Sequence, residues 1–304
     1  MDSVIKYIGT EIKQEIVINK VYTIHYFEYT KDFFFGGEEH DFWEFLYVDA
    51  GIVEVTAGGV QHTLFKGDIL FHEPGEFHQL WANGKTAPNL VVMSFECNSP
   101  AAKWFSRKIL KMKEEERTLL GHIIHEAQRN FSTPLDDPTS IGLERRPDSP
   151  FGCENMIKIH MEELLIRLIR RDSDVSLPDR ITNSIDKRTK ESAFNKVVNY
   201  MEDNMTNEFS LEDLCNATGY SRSYLHRIFK EKTSRSIMEY YKRIKLERAK
   251  QMIREGSSNI SQISDVLNYS SQQYFSKVFK RYIGMTPSEY ASSVKLKTDY
   301  YAKP

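Results

Sequence analysis

The first 96 residues carry their apolar residues in short runs, several of which alternate with polar positions. These runs lie at residues 16–18, 22–29, 43–48, 52–56, 68–71 and 90–95. Turn-forming pairs such as Gly36-Gly37, Gly58-Gly59 and Pro74-Gly75 separate them. Several short strands at this spacing predict an antiparallel β-barrel or sandwich.

The period of the pattern changes after residue 96. Apolar residues at helical spacing predict helices at residues 104–112, 114–130 and 155–171. A polar stretch that contains Pro178 predicts a linker, and helical patterns fill the chain from residue 190 onward. The predicted fold class is therefore α+β in two domains, with residues 1–175 in the first, 176–188 as the linker and 189–304 in the second.

Residues 210–230 recur at residues 259–280, which is the most informative pattern in the chain. The offset is 49 residues before the turn of each copy and 50 after it, and Gly219 and Asn268 take equivalent positions. Glycine and asparagine are the residue types that most easily adopt a positive φ, as a tight turn between crossed helices requires. Each copy is therefore predicted to be a helix-turn-helix.

The helix after each turn is predicted to have one buried and one outward face. Apolar residues at i, i+3 and i+4 spacing mark the buried face: Leu225, Ile228 and Phe229 in the first copy, and Phe275, Val278 and Phe279 in the second. The outward residues are predicted to bind DNA: Arg222, Ser223, His226, Arg227, Lys230, Gln272, Gln273, Ser276, Lys277 and Lys280. Arginine pairs with guanine and glutamine with adenine, whereas lysine more often contacts phosphate. The alternative is a solvated face of an ordinary helical bundle, which two matched copies disfavour.

A basic helix is predicted between the two copies, at residues 237–255. At 1.5 Å per residue it is about 28 Å long, so it is suited to hold two recognition helices about one DNA turn (~34 Å) apart.

Charge and composition divide the chain further. The net charge is −2, but residues 1–180 sum to −9 and residues 181–304 to +7. The basic half is therefore the part suited to nucleic acid. No apolar run reaches the ~18 residues of a membrane span, and Cys97, Cys153 and Cys215 lack any metal-site or disulfide spacing. We expect a cytoplasmic protein with no membrane partner, in which the cysteines are small buried apolar residues.

Two more stretches extend the pattern of the C-terminal half. They are Arg243-Ile244-Lys245-Leu246-x-x-Ala249 and Gly284-Met285-Thr286-Pro287-Ser288-Glu289-Tyr290. With the repeat, these motifs resemble the DNA-binding domain of the AraC/XylS family of bacterial transcription regulators. The chain departs mildly from that family, for example with Asn268 in place of glycine and Lys245 in place of arginine. The resemblance implies an all-α domain in which a long helix joins two helix-turn-helix motifs.

The N-terminal half carries His40-Asp41-Phe42-Trp43-Glu44-x6-Gly51, and later Pro74-Gly75-Glu76-x-His78. His40 and Glu44 have the same strand parity, so both are predicted to project into the interior of a barrel, whereas Trp43 packs outside it. These motifs resemble the cupin-type sensor domain that precedes the DNA-binding domain in many members of that family. The resemblance implies a pocket lined by Glu38, His40, Glu44 and His78 that binds a small polar metabolite, such as a sugar.

Metal-binding cupins usually have a histidine where this chain has Glu38. The remaining residues would still suit a divalent ion, but a hydrogen-bonding role is preferred, and we expect neither a metal nor a cofactor. The resemblance also implies a homodimer formed by the helices near residues 114–130 and 155–171. The alternative is that these two helices only cap the barrel. It further implies RNA polymerase as a partner.

Two functions follow from these observations. The first is a ligand-controlled, DNA-binding transcription regulator that is not an enzyme. The second is a metal-dependent cupin isomerase or oxygenase fused to a DNA-binding domain. No Walker loop, dinucleotide fingerprint or Ser-His-Asp order favours another catalytic class.

Overall fold

The computed structural model describes residues 8–172, 184–207 and 210–301. The chain divides into two compact units: residues 1–27, 36–80 and 89–175 in one, and residues 28–35, 81–88 and 176–304 in the other. Among the described residues, no helix is both long and apolar enough to cross a bilayer.

Within the described residues of the N-terminal half, nine strands form two sheets. They are β1 (Lys20–Glu28), β2 (Phe34–Glu38), β3 (Trp43–Ala50), β4 (Ile52–Ala57), β5 (Val60–Phe65), β6 (Asp68–His72), β7 (His78–Ala82), β8 (Asn89–Glu96) and β9 (Ile109–Lys111). The strand order is β1-β8-β3-β6-β9 in one sheet and β2-β7-β4-β5 in the other. Strand β3 pairs antiparallel with both β6 and β8, and its first six residues are buried on both faces of the sheet. The predicted antiparallel β domain is confirmed.

Two helices cover the larger sheet. They are α1 (Glu114–Asn130) and α2 (Cys153–Asp172), close to the ranges predicted from the sequence. Their apolar residues share one core with Trp43 and other side chains of β3. Trp43 thus packs in the layer that includes the helices, as its parity predicts.

The predicted helix at residues 104–112 is wrong. Residues Pro100–Phe105 form a short 3₁₀ helix, and Arg107 adopts a positive φ of 58° that interrupts it. Strand β9 then pairs with the edge of β6, with Asp68 opposite Lys111. The exposed edge of β6 supplies hydrogen bonds that outweigh the local helical pattern.

Residues 16–18 are extended but form no ladder, which corrects the prediction of a strand there. Ile16 and Ile18 are buried, so the apolar pattern reflects core packing. The backbone amides bond instead to side chains: Val17 N–H donates to Ser99 Oγ at 2.9 Å and Ile18 N–H to Glu162 Oε1 at 2.9 Å.

In residues 184–207 and 210–301 the structure has these further helices: α3 (Ser184–Asp203), α4 (Leu211–Thr218), α5 (Arg222–Thr233), α6 (Ile237–Glu255), α7 (Ile260–Val266), α8 (Gln272–Ile283) and α9 (Pro287–Tyr301). Helix α3 begins inside the predicted linker, and residues 173–183 lie outside the described part. The domain boundaries stay a prediction.

Local sequence signals explain the bounds of the helices in the repeat. Ser210 and Asp213 form a capping box at the start of α4, in which each side chain accepts from the other's backbone amide. Gly219 ends that helix with a φ of 77°, and Asn268 follows α7 with a φ of 52°. Both predicted positive-φ turns are confirmed.

Candidate functional site

The structure brings Glu38, His40, Glu44 and His78 together, as the sequence predicts. One nitrogen or oxygen atom of each side chain lies within 4.8 Å of the corresponding atoms of the others. Glu38 ends β2, Glu44 lies in β3 and His78 begins β7. Strand β3 begins only at Trp43, so His40 belongs to the connection before it and not to the strand. We call these four residues the His–Glu cluster.

Gly37 explains how β2 and β7 approach each other at the cluster. The Gly36-Gly37 pair, predicted to be a turn, lies within β2, and Gly37 has a φ of 104°. A Cβ atom at Gly37 would come within 2.7 Å of the carbonyl oxygen of His78. Only glycine permits this backbone contact, which sets His78 beside Glu38.

Glu44 is the centre of the cluster and is only 5% exposed. It accepts a hydrogen bond from Ser94 Oγ at 2.7 Å. His78 Nε2 lies 3.3 Å from Glu44 Oε1, and His40 Nε2 lies 3.7 Å from Glu44 Oε2. The carboxylate therefore faces two imidazoles and a hydroxyl group.

Backbone carbonyls fix the orientation of both imidazoles. His40 Nδ1 donates to the carbonyl oxygen of Phe42 at 3.0 Å, and His78 Nδ1 donates to that of Glu76 at 3.0 Å. A carbonyl can only accept, so each Nδ1 carries a proton. Each Nε2 then faces Glu44.

Burial and ion pairing act in opposite directions on the pKa values of the cluster. Burial alone would lower the pKa of His78, but Glu38 and Glu44 outweigh it and raise the pKa to about 10. The pKa of His40 is likewise raised by Glu44 against the effect of burial. Burial would raise the pKa of Glu44, yet the two imidazoles hold it well below its usual range. At neutral pH His78 is thus an imidazolium ion that faces the carboxylate of Glu44.

His72 also belongs to this site, although no spacing in the sequence singled it out. Its ring stacks on that of His78 with 4.0 Å between centroids, and its Nδ1 donates to Glu76 Oε1 at 2.8 Å. Burial lowers the pKa of His72, which favours the neutral form of this ring. His72 is the cross-strand partner of Glu44 in the β3–β6 register, a relation that only the pairing of the strands reveals.

Aromatic rings form one side of the cluster. Phe42 stacks on His40 with 4.0 Å between ring centroids, and Tyr22 stacks on Phe42 at 4.2 Å. The side chain of Glu38 is 51% exposed, so the cluster reaches solvent at Glu38.

The donor set of the cluster also fits a divalent ion. Two imidazole nitrogens and two carboxylates suit several transition metals, and the Nδ1 hydrogen bonds to carbonyls are the outer contacts that ligating histidines usually have. A metal would have to displace any proton on the two Nε2 atoms that face Glu44.

An open cavity of about 610 Å³ lies elsewhere in the same unit, between β1, the loop after α1, and α2. Lys20, Arg145 and Lys158 line it, and each is ion-paired with a glutamate. None of the residues predicted to bind a ligand lies in this cavity.

The two recognition helices have the faces that the sequence predicts. The apolar residues of α5 are fully buried, whereas Val278 of α8 is half-buried between buried Phe275 and Phe279. On the other face these residues are exposed: Arg222, Ser223, His226, Arg227, Lys230, Gln272, Gln273, Lys277 and Lys280. Ser276 is half-buried.

The basic residues of α6 do not all face solvent. Lys245 is 9% exposed, and Arg254 is buried, where it donates to the hydroxyl group of Tyr290 at 2.7 Å. Part of the positive charge predicted for this helix therefore acts within the fold.

Comparison with known proteins gives two family matches. A model described as an AraC-like ligand binding domain matches residues 20–132, and one described as a helix-turn-helix domain matches residues 214–293. The first contains the His–Glu cluster, and the second contains α5 and α8.

Relatives share part or most of the chain. The raffinose operon transcriptional regulatory protein RafR of Pediococcus pentosaceus is 34% identical over 38% of this chain and 42% of its own length. The HTH-type transcriptional activator RhaR of Mannheimia succiniciproducens is 24% identical over 83% of this chain and 86% of its own length. The multiple antibiotic resistance protein MarA of Salmonella typhimurium is 28% identical over 34% of this chain and 82% of its own. The chain thus spans less than half of RafR but most of RhaR.

Proposed function

The chain belongs to the AraC family of transcription regulators, and we propose that a small polar metabolite bound at its His–Glu cluster controls its binding to a promoter. The observation that carries this proposal is Glu44, a buried carboxylate between two imidazoles. Their Nε2 atoms contact Glu44 as ion pairs, at 3.3 Å from His78 and 3.7 Å from His40, but form no hydrogen bond. Buried polar groups are normally hydrogen-bonded, so a ligand that supplies partners is favoured there.

A hydroxylated metabolite fits this site best. Each hydroxyl group both donates and accepts, so it can bond an imidazolium and a carboxylate at once. The rings of Phe42 and Tyr22 offer an apolar face beside the polar groups, as small-molecule sites commonly do. Sugars combine these properties, and the name of the raffinose operon regulator makes oligosaccharides the first class to test.

A thermal-shift screen of the full chain against a metabolite panel tests this proposal. A ligand at 100 times its dissociation constant stabilises the protein by about 2.7 kcal/mol. Glu44→Gln and His78→Ala should then weaken the binding of that ligand, as measured by calorimetry. The control is His62→Ala, at a half-buried histidine on β5, which should leave the affinity unchanged. Unchanged affinity in both cluster variants would rule out the pocket.

A bound metal is the competing occupant, and metal analysis of the freshly purified protein distinguishes the two. A stoichiometric divalent ion that Glu44→Gln removes would favour the metal-dependent enzyme over a metabolite sensor. Metal-free protein that still responds to the metabolite supports the sensor.

DNA is proposed to bind the exposed faces of α5 and α8. Helix α6 spans 19 residues, or about 28 Å, so the two recognition helices would enter successive major grooves on one side of the duplex. Arg227 and Gln273 are proposed to read base edges, and Lys230 and Lys280 to contact phosphates.

A homodimer formed through α2 completes the proposal. Met156 is 39% and Ile159 51% exposed on this helix, and burial of such side chains against a second copy would remove apolar surface from water. Activation would also involve a contact with RNA polymerase, and binding to chromosomal DNA would place the protein in the cytoplasm.

A further inference from the structure

A lysine of the helix that precedes the first helix-turn-helix reaches the turn of that motif. Lys196 of α3 donates from Nζ to the carbonyl oxygen of Thr218, the last residue of α4, at 2.8 Å. The same ammonium group lies 5.8 Å from the ring centroid of Tyr220. The ammonium group therefore contacts the residue before Gly219 and the residue after it, and Gly219 is the turn residue with positive φ.

A lysine of α6 makes the corresponding contacts in the second motif. Lys245 Nζ lies 3.5 Å from the carbonyl oxygen of Asn268 and 4.9 Å from the ring centroid of Tyr269. It also lies 5.3 Å from the ring of Tyr241. Unlike Lys196, which is exposed, Lys245 is almost fully buried.

The two lysines occupy the same place in the internal repeat. Lys196 and Lys245 are 49 residues apart, the offset that also relates Gly219 to Asn268 and Tyr220 to Tyr269. The repeat therefore begins one helix earlier than the sequence comparison of residues 210–230 and 259–280 indicates. Each repeat is a three-helix unit, α3–α4–α5 or α6–α7–α8, with a lysine from its first helix at its turn.

We infer that Lys196 and Lys245 are positioning residues, each of which fixes the turn of its own helix-turn-helix and thereby the orientation of the following recognition helix. The last carbonyls of a helix lack partners within it and attract cations. A lysine over an aromatic ring gains a further attraction. In each motif a single ammonium group thus contacts both a backbone carbonyl at the end of the first helix and the tyrosine of the turn that follows.

The tyrosines carry this constraint onward to the recognition helices. The ring of Tyr220 lies 5.4 Å from that of Tyr224 in α5, and Arg227 lies 5.5 Å from the Tyr224 ring. In the second motif Tyr269 lies 5.1 Å from Phe275 of α8. In the first motif these contacts lead from Lys196 to Arg227, the residue proposed to read a base. A less rigid turn would therefore displace Arg227 from its base.

Amide hydrogen exchange of the full-length protein tests the inference without any DNA. Lys245→Met should accelerate exchange in peptides that span residues 264–275 and leave residues 215–225 unchanged, and Lys196→Met should do the reverse. Lys242→Met, an exposed lysine on α6, should change neither. Acceleration in both motifs, or in neither, would overturn the inference.

Selection of binding sites from a random DNA library then tests the consequence for recognition, which rests on the proposed function. Lys245→Met should reduce affinity for the selected site about tenfold, equal to about 1.4 kcal/mol, with base preference lost only in the half read by α8. Lys196→Met should reduce the affinity about threefold, with base preference lost only in the half read by α5. The effect is smaller because cation–ring contacts are weaker when exposed. Lys245→Arg, which keeps the charge and stacks on rings, should restore the lost preference.

Failure of the proposed function and failure of the inference about the two lysines give different results. If the wild-type protein selects no site with two halves, the proposed function fails while the exchange result still decides the role of the lysines. If the wild type selects such a site and both methionine variants select the same one, the inference is wrong.

Discussion

Replacing Glu44 with glutamine should destabilise the β domain in a pH-dependent way. The substitution keeps the shape of the side chain and an acceptor for Ser94, but it removes the charge that faces His40 and His78. Removing one partner of a buried ion pair costs about 3–5 kcal/mol. Because Glu38 remains beside His78, we expect the lower end, about 3 kcal/mol, while the imidazoles are protonated.

The direction of the pH dependence follows from His78. Its pKa in the folded protein is raised to about 10, so the folded state binds the proton more tightly than the unfolded state does. This stabilisation is complete below the ordinary histidine pKa of about 6.5 and is lost as the pH rises to about 10. The cost of Glu44→Gln should therefore fall from about 3 kcal/mol near pH 6 to about 1 kcal/mol near pH 10.5, above the pKa of His78, where a weakened bond to Ser94 is what remains.

Tryptophan fluorescence isolates the relevant transition during guanidinium unfolding. Of the three tryptophans, Trp43 and Trp104 belong to the first compact unit and Trp81 to the second. All variants are therefore made in a Trp81→Phe background, in which only the first unit contributes signal. Glu54→Gln is the matched control, because Glu54 accepts from Thr63 at 2.8 Å on an exposed part of the sheet, and its cost should not vary with pH. An equal cost of Glu44→Gln at both pH values would refute the ion pairing described for the cluster.

Two further predictions concern DNA binding and assembly. Lys230→Ala and Lys280→Ala should each weaken binding to all sequences about equally and lower the slope of log affinity against log salt by about one unit, measured by fluorescence anisotropy, whereas Lys66→Ala in an exposed loop should leave the slope unchanged; an altered base preference would contradict this. Ile159→Glu should convert the proposed dimer to a monomer in analytical ultracentrifugation because it charges an apolar contact, whereas Leu296→Glu, at a still more exposed position on α9, should not; a persistent dimer would exclude α2 as the interface.

The helix-turn-helix motifs could be predicted almost completely from the sequence, because their determinants are local. Ser210 caps α4 through a residue three positions away, and Gly219 and Asn268 take their positive φ from their own chemistry. The buried residues follow from spacing within one helix. What the pattern missed is Lys196, since its contact with Thr218 joins two helices 22 residues apart.

The β domain was less predictable because its strands pair across long stretches of chain. Part of the predicted helix at residues 104–112 instead forms β9, because these residues pair with the edge of β6. His72 escaped notice because its place beside Glu44 depends on the β3–β6 register. Strand parity placed His40 and Glu44 on one face, and the family resemblance added Glu38 and His78, but the ion pairs among these residues became visible only in the structure.

The most direct test of the account is the selection of binding sites from a random library with wild-type protein, Arg227→Ala and Gln273→Ala. Both residues are exposed on the outer faces of their helices, and a good base contact contributes about 1–3 kcal/mol of discrimination. The account predicts that the wild type selects two half-sites about one helical turn apart, ~10 base pairs. Arg227→Ala should relax base preference in one half and Gln273→Ala in the other. If both variants bind more weakly but select the wild-type sequence, α5 and α8 do not read bases through these residues, and the central claim is contradicted.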